Sequence, residues 1–337
     1  MKIAQIMAGA AQGGAELFFE RITIALAQAG EDVLPLIRAE PARVARFADS
    51  GLAAQTFRFG GPLDFTTRPQ LKKAAQQFGA DIAIAWMSRA ASYAPQGPWT
   101  LIGRLGGYYD LKYFRRCDHL IGNTQDIVRW IIAQGWPAER VHYLPNFVED
   151  FAPVTPAPRS GDGQTILALG RLHEVKGFDT LIQAMTKLPD ATLLIAGEGP
   201  ERPKLEALIN TLDLAPRVKL LGWRTDTGAL LKAADLFVSS SRHEPLGNMV
   251  LEAFSAQTPV LAAAAEGPRE TIRDHVDGIL VPIDDAAALA RAARMLLASP
   301  AQRAALAAAG RARFEAEFAA APVVATWRAT LSRLRPR

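Results

Sequence analysis

The chain has 337 residues, nearly half of them hydrophobic and about a fifth charged, which excludes disorder, collagen-like and coiled-coil architectures and leaves room for two cores. Its net charge of +4 is spread along the chain with no aromatic-basic RNA-binding signature, so nucleic acid is not the expected partner. Cys117 is the only cysteine, which admits no internal disulfide and fits a reducing cytoplasm; no apolar run reaches the roughly 18–20 residues that span a bilayer.

The apolar start gives way to Gly13, Gly14 and Glu16, so it reads as a strand at 2–7 and its loop rather than as a signal peptide. A helix follows at 15–29 and stops at Gly30. Gly9, Gly13 and Gly14 lack the Cβ that would keep a phosphate or sugar from the backbone N–H groups, and a helix start favours negative charge; a plain strand-to-helix turn uses the same residues. The spacing is not G-x-G-x-x-G, and no acid stands ready for a ribose at the end of a second strand, which disfavours a dinucleotide oxidoreductase. Apolar runs at 33–37, 81–87, 100–103 and 119–122 alternate with polar or helical text, the pattern of a parallel sheet wrapped by helices. This half also holds a basic stretch, Arg38, Arg43 and Arg46, and the segment from Tyr108 to Arg116. There Lys112, Tyr113, Phe114, Arg115 and Arg116 read either as a solvated helix face or as a contact for lipid headgroups or an anionic acceptor.

Around 150–163, Pro153, Pro156, Pro158, Ser160, Gly161, Asp162 and Gly163 have linker chemistry. The expected domains are therefore 1–157 and 158–337. A second alternation follows, with strands at 165–169, 192–196, 218–221, 236–239, 259–263 and 278–281 and helices at 179–186, 201–212, 227–233 and 246–256, a second doubly wound α/β domain. Ala-rich text from Asp285 onward supplies terminal helices, the last of them expected to pack back on the N-terminal domain. Two such domains are expected to face a cleft, with ligands at the carboxyl ends of the strands.

The loop after the first strand of the second half reads Gly170, Arg171, Leu172, His173, Glu174, Val175, Lys176, Gly177. A guanidinium and an ammonium on one loop supply a bidentate clamp and a point charge for two adjacent phosphates, although an ordinary exposed loop has the same composition. The run SSSRHEPLGNMVLEAF at 239–254 sets Glu244 eight residues before Glu252. Pro245 and Gly247 keep Glu244 in a loop, and Glu252 falls about two turns into the following helix. The N–H groups of Leu246, Gly247 and Asn248 are then available to phosphate or sugar oxygens. Glu244 suits sugar hydroxyls and Glu252 a ribose, unless Glu252 is merely a surface or capping acid.

The segments GGAE (13–16), GRLHEVKG (170–177), AGEGP (196–200), LGW (221–223) and the Glu-x7-Glu element from Glu244 to Glu252 resemble the retaining GT-B glycosyltransferases of family four, most densely from 170 to 282. The resemblance implies a GT-B fold of two Rossmann-like domains and metal-independent transfer from a nucleotide diphosphate sugar, with no cofactor and no bound metal. It puts Arg171 and Lys176 on the diphosphate, Glu252 on the ribose, Glu244 on the sugar, and the base near Gly197, Gly222 and Trp223. The acceptor is expected on the N-terminal domain, at Arg104, Tyr108, Lys112, Arg115 and Arg116, as a glycan or glycolipid such as a lipopolysaccharide core. The site is expected in the cytoplasm, with peripheral contact to an anionic membrane face. Many members carry a histidine on an N-domain strand end. This chain has Trp86 and Arg104 in those contexts and no histidine before His119, which leaves the corresponding polar contact open among Arg104, Asp110 and a backbone group. That departure keeps two alternatives: a catalytically silent nucleotide-sugar binding protein, and a GT-B epimerase.

Overall fold

The computed structural model describes residues 1–11, 13–61, 63–159 and 163–336; Gln12 of the glycine loop and Ser160, Gly161 and Asp162 of the expected linker lie outside these. The chain divides into two compact units, Met1–Phe147 with the segment from Ala320 onward, and Val148–Ala319.

The first unit is built on seven parallel strands: β1 Lys2–Met7, β2 Asp32–Arg38, β3 Gln55–Phe57, β4 Ile82–Trp86, β5 Thr100–Leu105, β6 His119–Gly122 and β7 Val141–Tyr143. Their order is β3-β2-β1-β4-β5-β6-β7. The central strands read as largely apolar runs, broken by the buried Gln5 in β1 and Arg104 in β5, because helices cover both faces. On one face Phe18, Phe19 and Ile22 from helix Gly14–Gln28 pack with Ile3, Ile84 and Trp86, joined by Trp327 and Leu331 of the last helix, Ala320–Leu334. On the other, Leu71 and Ala75 from helix Thr67–Phe78 and Ile127 and Ile131 from helix Gln125–Ala133 cover Ala4, Ala83 and Leu120. The last helix is tied to this unit by Trp327 Nε1 donating to the Pro145 carbonyl (3.3 Å) and by the Arg328–Glu31 ion pair (2.6 Å).

The second unit has six parallel strands, β8 Gln164–Leu169, β9 Ala191–Ala196, β10 Val218–Gly222, β11 Leu236–Ser239, β12 Val260–Ala263 and β13 Ile279–Val281, in the order β10-β9-β8-β11-β12-β13. The division between units precedes the prolines that suggested it. Val148 and Phe151 are buried in the second unit's core, the Phe151 N–H donates to Ser255 Oγ (2.8 Å), and the Ala157 N–H donates to the Ala229 carbonyl (2.9 Å). In each sheet the strand order reverses once, between β1 and β4 and between β8 and β11. Loops following those strands open the crevice in which this topology binds ligands.

Candidate functional site

In the second unit the loops after β8, β9 and β11 lie backbone to backbone, and glycine makes this possible. A Cβ on Gly197 (φ 155°) would stand 1.8 Å from the Gly170 carbonyl oxygen, one on Gly199 2.3 Å from that of Leu172, and one on Gly177 (φ 59°) 2.2 Å from that of Ser240. The motif glycines are thus spent on packing loops together. Residues 174–176 form a single 3-10 turn over the buried Leu172. Ser240 Oγ donates to the Lys176 carbonyl (2.9 Å) and the Arg242 N–H to that of Val175 (2.8 Å). The Arg242 guanidinium bonds the Glu174 carbonyl (2.7 Å), Asp179 (2.8 Å) and Asp284 (2.7 Å). Arg242 is therefore the pin of the two switch-point loops, a role visible only once Asp179 and Asp284 are in place.

The result is an ion pair between Lys176 Nζ and Glu244 Oε2, their side chains only 15% and 13% exposed. Glu244 is held from behind by its own N–H donating to Glu266 Oε2 (3.2 Å) and by its carbonyl accepting from the Gly267 N–H (2.7 Å). Burial of Glu266 opposes its ionisation, yet hydrogen bonds from its own N–H, from His243 and from the Glu244 N–H outweigh that and hold its carboxyl below the usual range. Glu266 and Gly267 escaped the sequence reading as site supports; their one signal is a position directly after a strand, at the start of helix Glu266–Thr271.

Arg171 is exposed, with no ion pair among the described residues. Leu246 and Gly247 (φ 78°) lead into helix Asn248–Ser255, whose start has no side-chain cap. Because that helix starts at Asn248 and not at 246, Glu252 sits a little over one turn in, half-buried. The Gly197 N–H donates to the Gly222 carbonyl (2.8 Å), and Trp223 beside it is 66% exposed.

The first-unit residues fall out differently. Gly13 and Gly14 were expected to approach a donor, but the buried Glu16 carboxylate already fills their loop. It accepts from the Ala10 N–H (2.9 Å), and a Cβ on Gly9 or Gly13 would stand 2.4 or 2.3 Å from its oxygens. The positive end of this helix has its own anion. Arg104, expected at an acceptor or membrane contact, is instead 1% exposed: its guanidinium lies 4.7 Å from the Trp86 ring and 5.4 Å from that of Phe18, and Nη2 donates to Asn146 Oδ1 (2.6 Å). Burial pulls its pKa down to about 10, so it stays a cation at neutral pH, with Nε unpartnered among the described residues. Tyr108 bonds Asp126 and stacks edge-on to Trp130. Lys112 pairs with Asp110 (2.6 Å), Arg116 donates to the Ser92 carbonyl (3.2 Å), and Arg115 has no ion pair among the described residues. In the basic stretch, Arg43 and Arg46 are both taken by Glu20 (2.7 and 2.6 Å), which leaves Arg38.

Two doubly wound units, one with a fixed lysine–glutamate pair, an exposed arginine and an uncapped helix start at its switch point, define a GT-B type architecture. Comparison with known proteins takes this further. A family profile described as glycosyl transferases group 1 matches residues 156–313. The chain is 36% identical over 320 residues to the lipopolysaccharide core biosynthesis glycosyltransferase LpsE of Rhizobium meliloti, covering 91% of this chain and 92% of that one. It is 33% identical over 328 residues to LpsD of the same organism, covering 94% of each. Among solved structures, HepE of Anabaena in complex with UDP superposes with a TM-score of 0.85 at 24% identity, covering 99% of this chain and 100% of that one. A glycosyltransferase from Rickettsia africae superposes with a TM-score of 0.87 at 16% identity, covering 99% and 98%. The chain belongs to the glycosyl transferases group 1 family. It is a glycosyltransferase of GT-B fold.

Proposed function

We propose that the protein transfers a sugar from a nucleotide diphosphate donor to a glycan or glycolipid acceptor, with retention of anomeric configuration and without a metal. The observation that carries this reading is the Lys176–Glu244 pair at the β8/β11 switch point, braced by Glu266 and Arg242. When a donor arrives, the Lys176 ammonium moves to the diphosphate with Arg171, and the freed Glu244 carboxylate accepts from sugar hydroxyls. Glu252 takes the ribose, the N–H groups of Leu246, Gly247 and Asn248 take phosphate or sugar oxygens, and the base lies by Gly197, Gly222 and Trp223. The bond from the anomeric carbon to the diphosphate oxygen breaks while the acceptor hydroxyl attacks the same face and passes its proton to the departing diphosphate oxygen, and the two cations stabilise the charge that develops on that diphosphate. The names of LpsE and LpsD support an acceptor of the lipopolysaccharide core class.

We also propose a salt-sensitive contact of Lys112, Arg115 and Arg116 with an anionic membrane face, worth about 1 kcal/mol per charge close to the surface. No helix among the described residues is long and apolar enough to cross a membrane. Reversing the three charges should weaken binding to anionic liposomes at low salt. The transfer reading is tested by screening UDP, GDP, ADP and CMP sugars for a thermal shift, then following the matching donor by NMR with a saccharide acceptor. An α-linked product from an α-linked donor is expected; an inverted product would overturn retention, and no shift with any of the donors would overturn the donor class.

A further inference from the structure

The first unit holds a concavity of about 980 Å3 outside the carboxyl ends of β2 and β4, which none of the residues assigned above explains. Its wall carries three guanidinium groups, Arg38, Arg68 and Arg89, and a single carboxylate, Asp64. Asp64 is committed elsewhere: it accepts from the N–H groups of Gly60 (2.8 Å) and Thr67 (3.0 Å) and from the hydroxyls of Thr66 (2.9 Å) and Thr67 (2.5 Å). Those bonds, with the Gly60 N–H first, hold its carboxyl well below the usual range and fix the turn before helix Thr67–Phe78. Among the described residues Arg38 and Arg89 have neither an ion pair nor a side-chain hydrogen bond. Among the described residues Arg68 donates only to the Ser92 carbonyl (2.6 Å), which it shares with Arg116 (3.2 Å). Burial and the neighbouring Arg116 both pull the Arg68 guanidinium down, as expected of cations gathered without a counter-ion.

The wall also carries four aromatic rings, those of Phe59, Phe65, Tyr93 and Tyr113. Tyr93 is fixed by its hydroxyl, which accepts from the Gly61 N–H (2.8 Å) and donates to the Gly61 carbonyl (2.5 Å), while Phe65 and Tyr113 stand 77% and 40% exposed. The chain bends here through two non-glycine residues in the left-handed region, Phe59 (φ 45°) and Met87 (φ 62°), and such strain collects at binding sites. A hollow of this volume exceeds a lone phosphate and suits a small organic ligand. Guanidinium groups recognise planar or tetrahedral oxyanions, and aromatic faces take the C–H side of a sugar ring.

We propose that this concavity binds an anionic saccharide, a sugar bearing phosphate or carboxylate, as the recognised group of the acceptor. The inference rests on the glycosyl transfer proposed above and names the acceptor's chemistry. Titration calorimetry on the full chain without donor, using glucose 6-phosphate, glucuronate, glucose and inorganic phosphate, tests it. At least one charged sugar should bind about tenfold or more tighter than both glucose and inorganic phosphate, the energetic scale of one charge-assisted contact; the tighter of the two charged sugars identifies the anion as phosphate or carboxylate. The double variant Arg38→Gln, Arg89→Gln, made at two exposed positions, should lose about tenfold or more for that sugar and keep its thermal shift with nucleotide sugar. Arg291→Gln, at an exposed arginine of the other unit, should change nothing. Charged sugars binding no tighter than glucose, inorganic phosphate binding as well as the charged sugar, or a double variant that binds like the parent would each overturn the proposal. A chain that binds the charged sugar but responds to no nucleotide sugar would instead overturn the transfer reading alone.

Discussion

Replacing Lys176 by alanine separates what its ion pair does for the fold from what it does for the chemistry. In the free protein the change leaves Glu244 without its cation in a place where both side chains are about six-sevenths buried. Removing one partner of a fully buried pair costs about 3–5 kcal/mol, and residual solvent access at this depth reduces that to about 2 kcal/mol. For a unit of this size that is a fall in Tm of about 4–8 °C. In the reaction, losing one cation aimed at the departing diphosphate costs about 2.7–4 kcal/mol, or 100- to 1,000-fold in turnover. The double change Lys176→Met, Glu244→Gln should recover most of the lost Tm, because no charge is left unpaired, and none of the lost turnover. The assay is release of nucleoside diphosphate from the donor that stabilises the parent protein, with circular dichroism confirming the fold. Turnover in folded Lys176→Ala within tenfold of the parent would falsify the role given to this lysine.

Further expectations concern other parts of the molecule. Gly197→Ala puts a Cβ 1.8 Å from a backbone oxygen at φ 155° and should destabilise by about 3 kcal/mol or more, whereas Gly163→Ala meets only an ordinary 3.5 Å contact and should be near neutral; both are read by chemical denaturation. His142, 3.1 Å from His119, is pushed from 6.5 down to about 4 by burial and then by His119. The unfolded chain therefore takes up more protons between those values, so stability should be full above pH 6.5 and fall as the pH drops toward about 4. His142→Gln should flatten the part of that slope between pH 6.5 and 5. Burial pushes the Cys117 thiol up to about 12, so Ellman's reagent should label it only after denaturant is added.

Strands that are buried on both faces were legible, because β4, β8 and β11 each read as a mostly apolar run between turn signals and β1 does so apart from Gln5. Helices Pro41–Asp49 and Thr67–Phe78 were not, since each sets only a few side chains into the core, Phe47 in one and Leu71, Ala74 and Ala75 in the other. The domain boundary was read from proline, yet Phe151 packs those residues into the second unit. Lys176 and Glu244 were each legible as charged groups on loops after strands. That these two residues, 68 apart in the chain, meet depends on β8 and β11 lying side by side, which local spacing does not reveal. Gly9, Gly13 and Gly14 suggest access to a ligand, yet a Cβ on Gly9 or Gly13 would meet the Glu16 carboxylate; the glycines of the second unit, Gly177, Gly197 and Gly199, admit neighbouring backbone. Arginine counts misled for a similar reason: Arg43 is buried against Glu20 and Arg104 against Trp86, Phe18 and Asn146, the exposed Arg46 is paired with Glu20, and of that basic stretch Arg38 is the one that lines the first-unit concavity.

The central claim is that a nucleotide diphosphate sugar binds at the β8/β11 switch point through Arg171 and Lys176. Calorimetric titration of the parent chain and of the Arg171→Ala, Lys176→Ala double variant with UDP, GDP and ADP tests it most directly. One of the three diphosphates should bind the parent, and its affinity should fall about 100-fold or more in the folded double variant, since each charged contact to phosphate contributes about 1.5–3 kcal/mol. Equal affinity in the two proteins, or no binding of any diphosphate to the parent, would contradict the account.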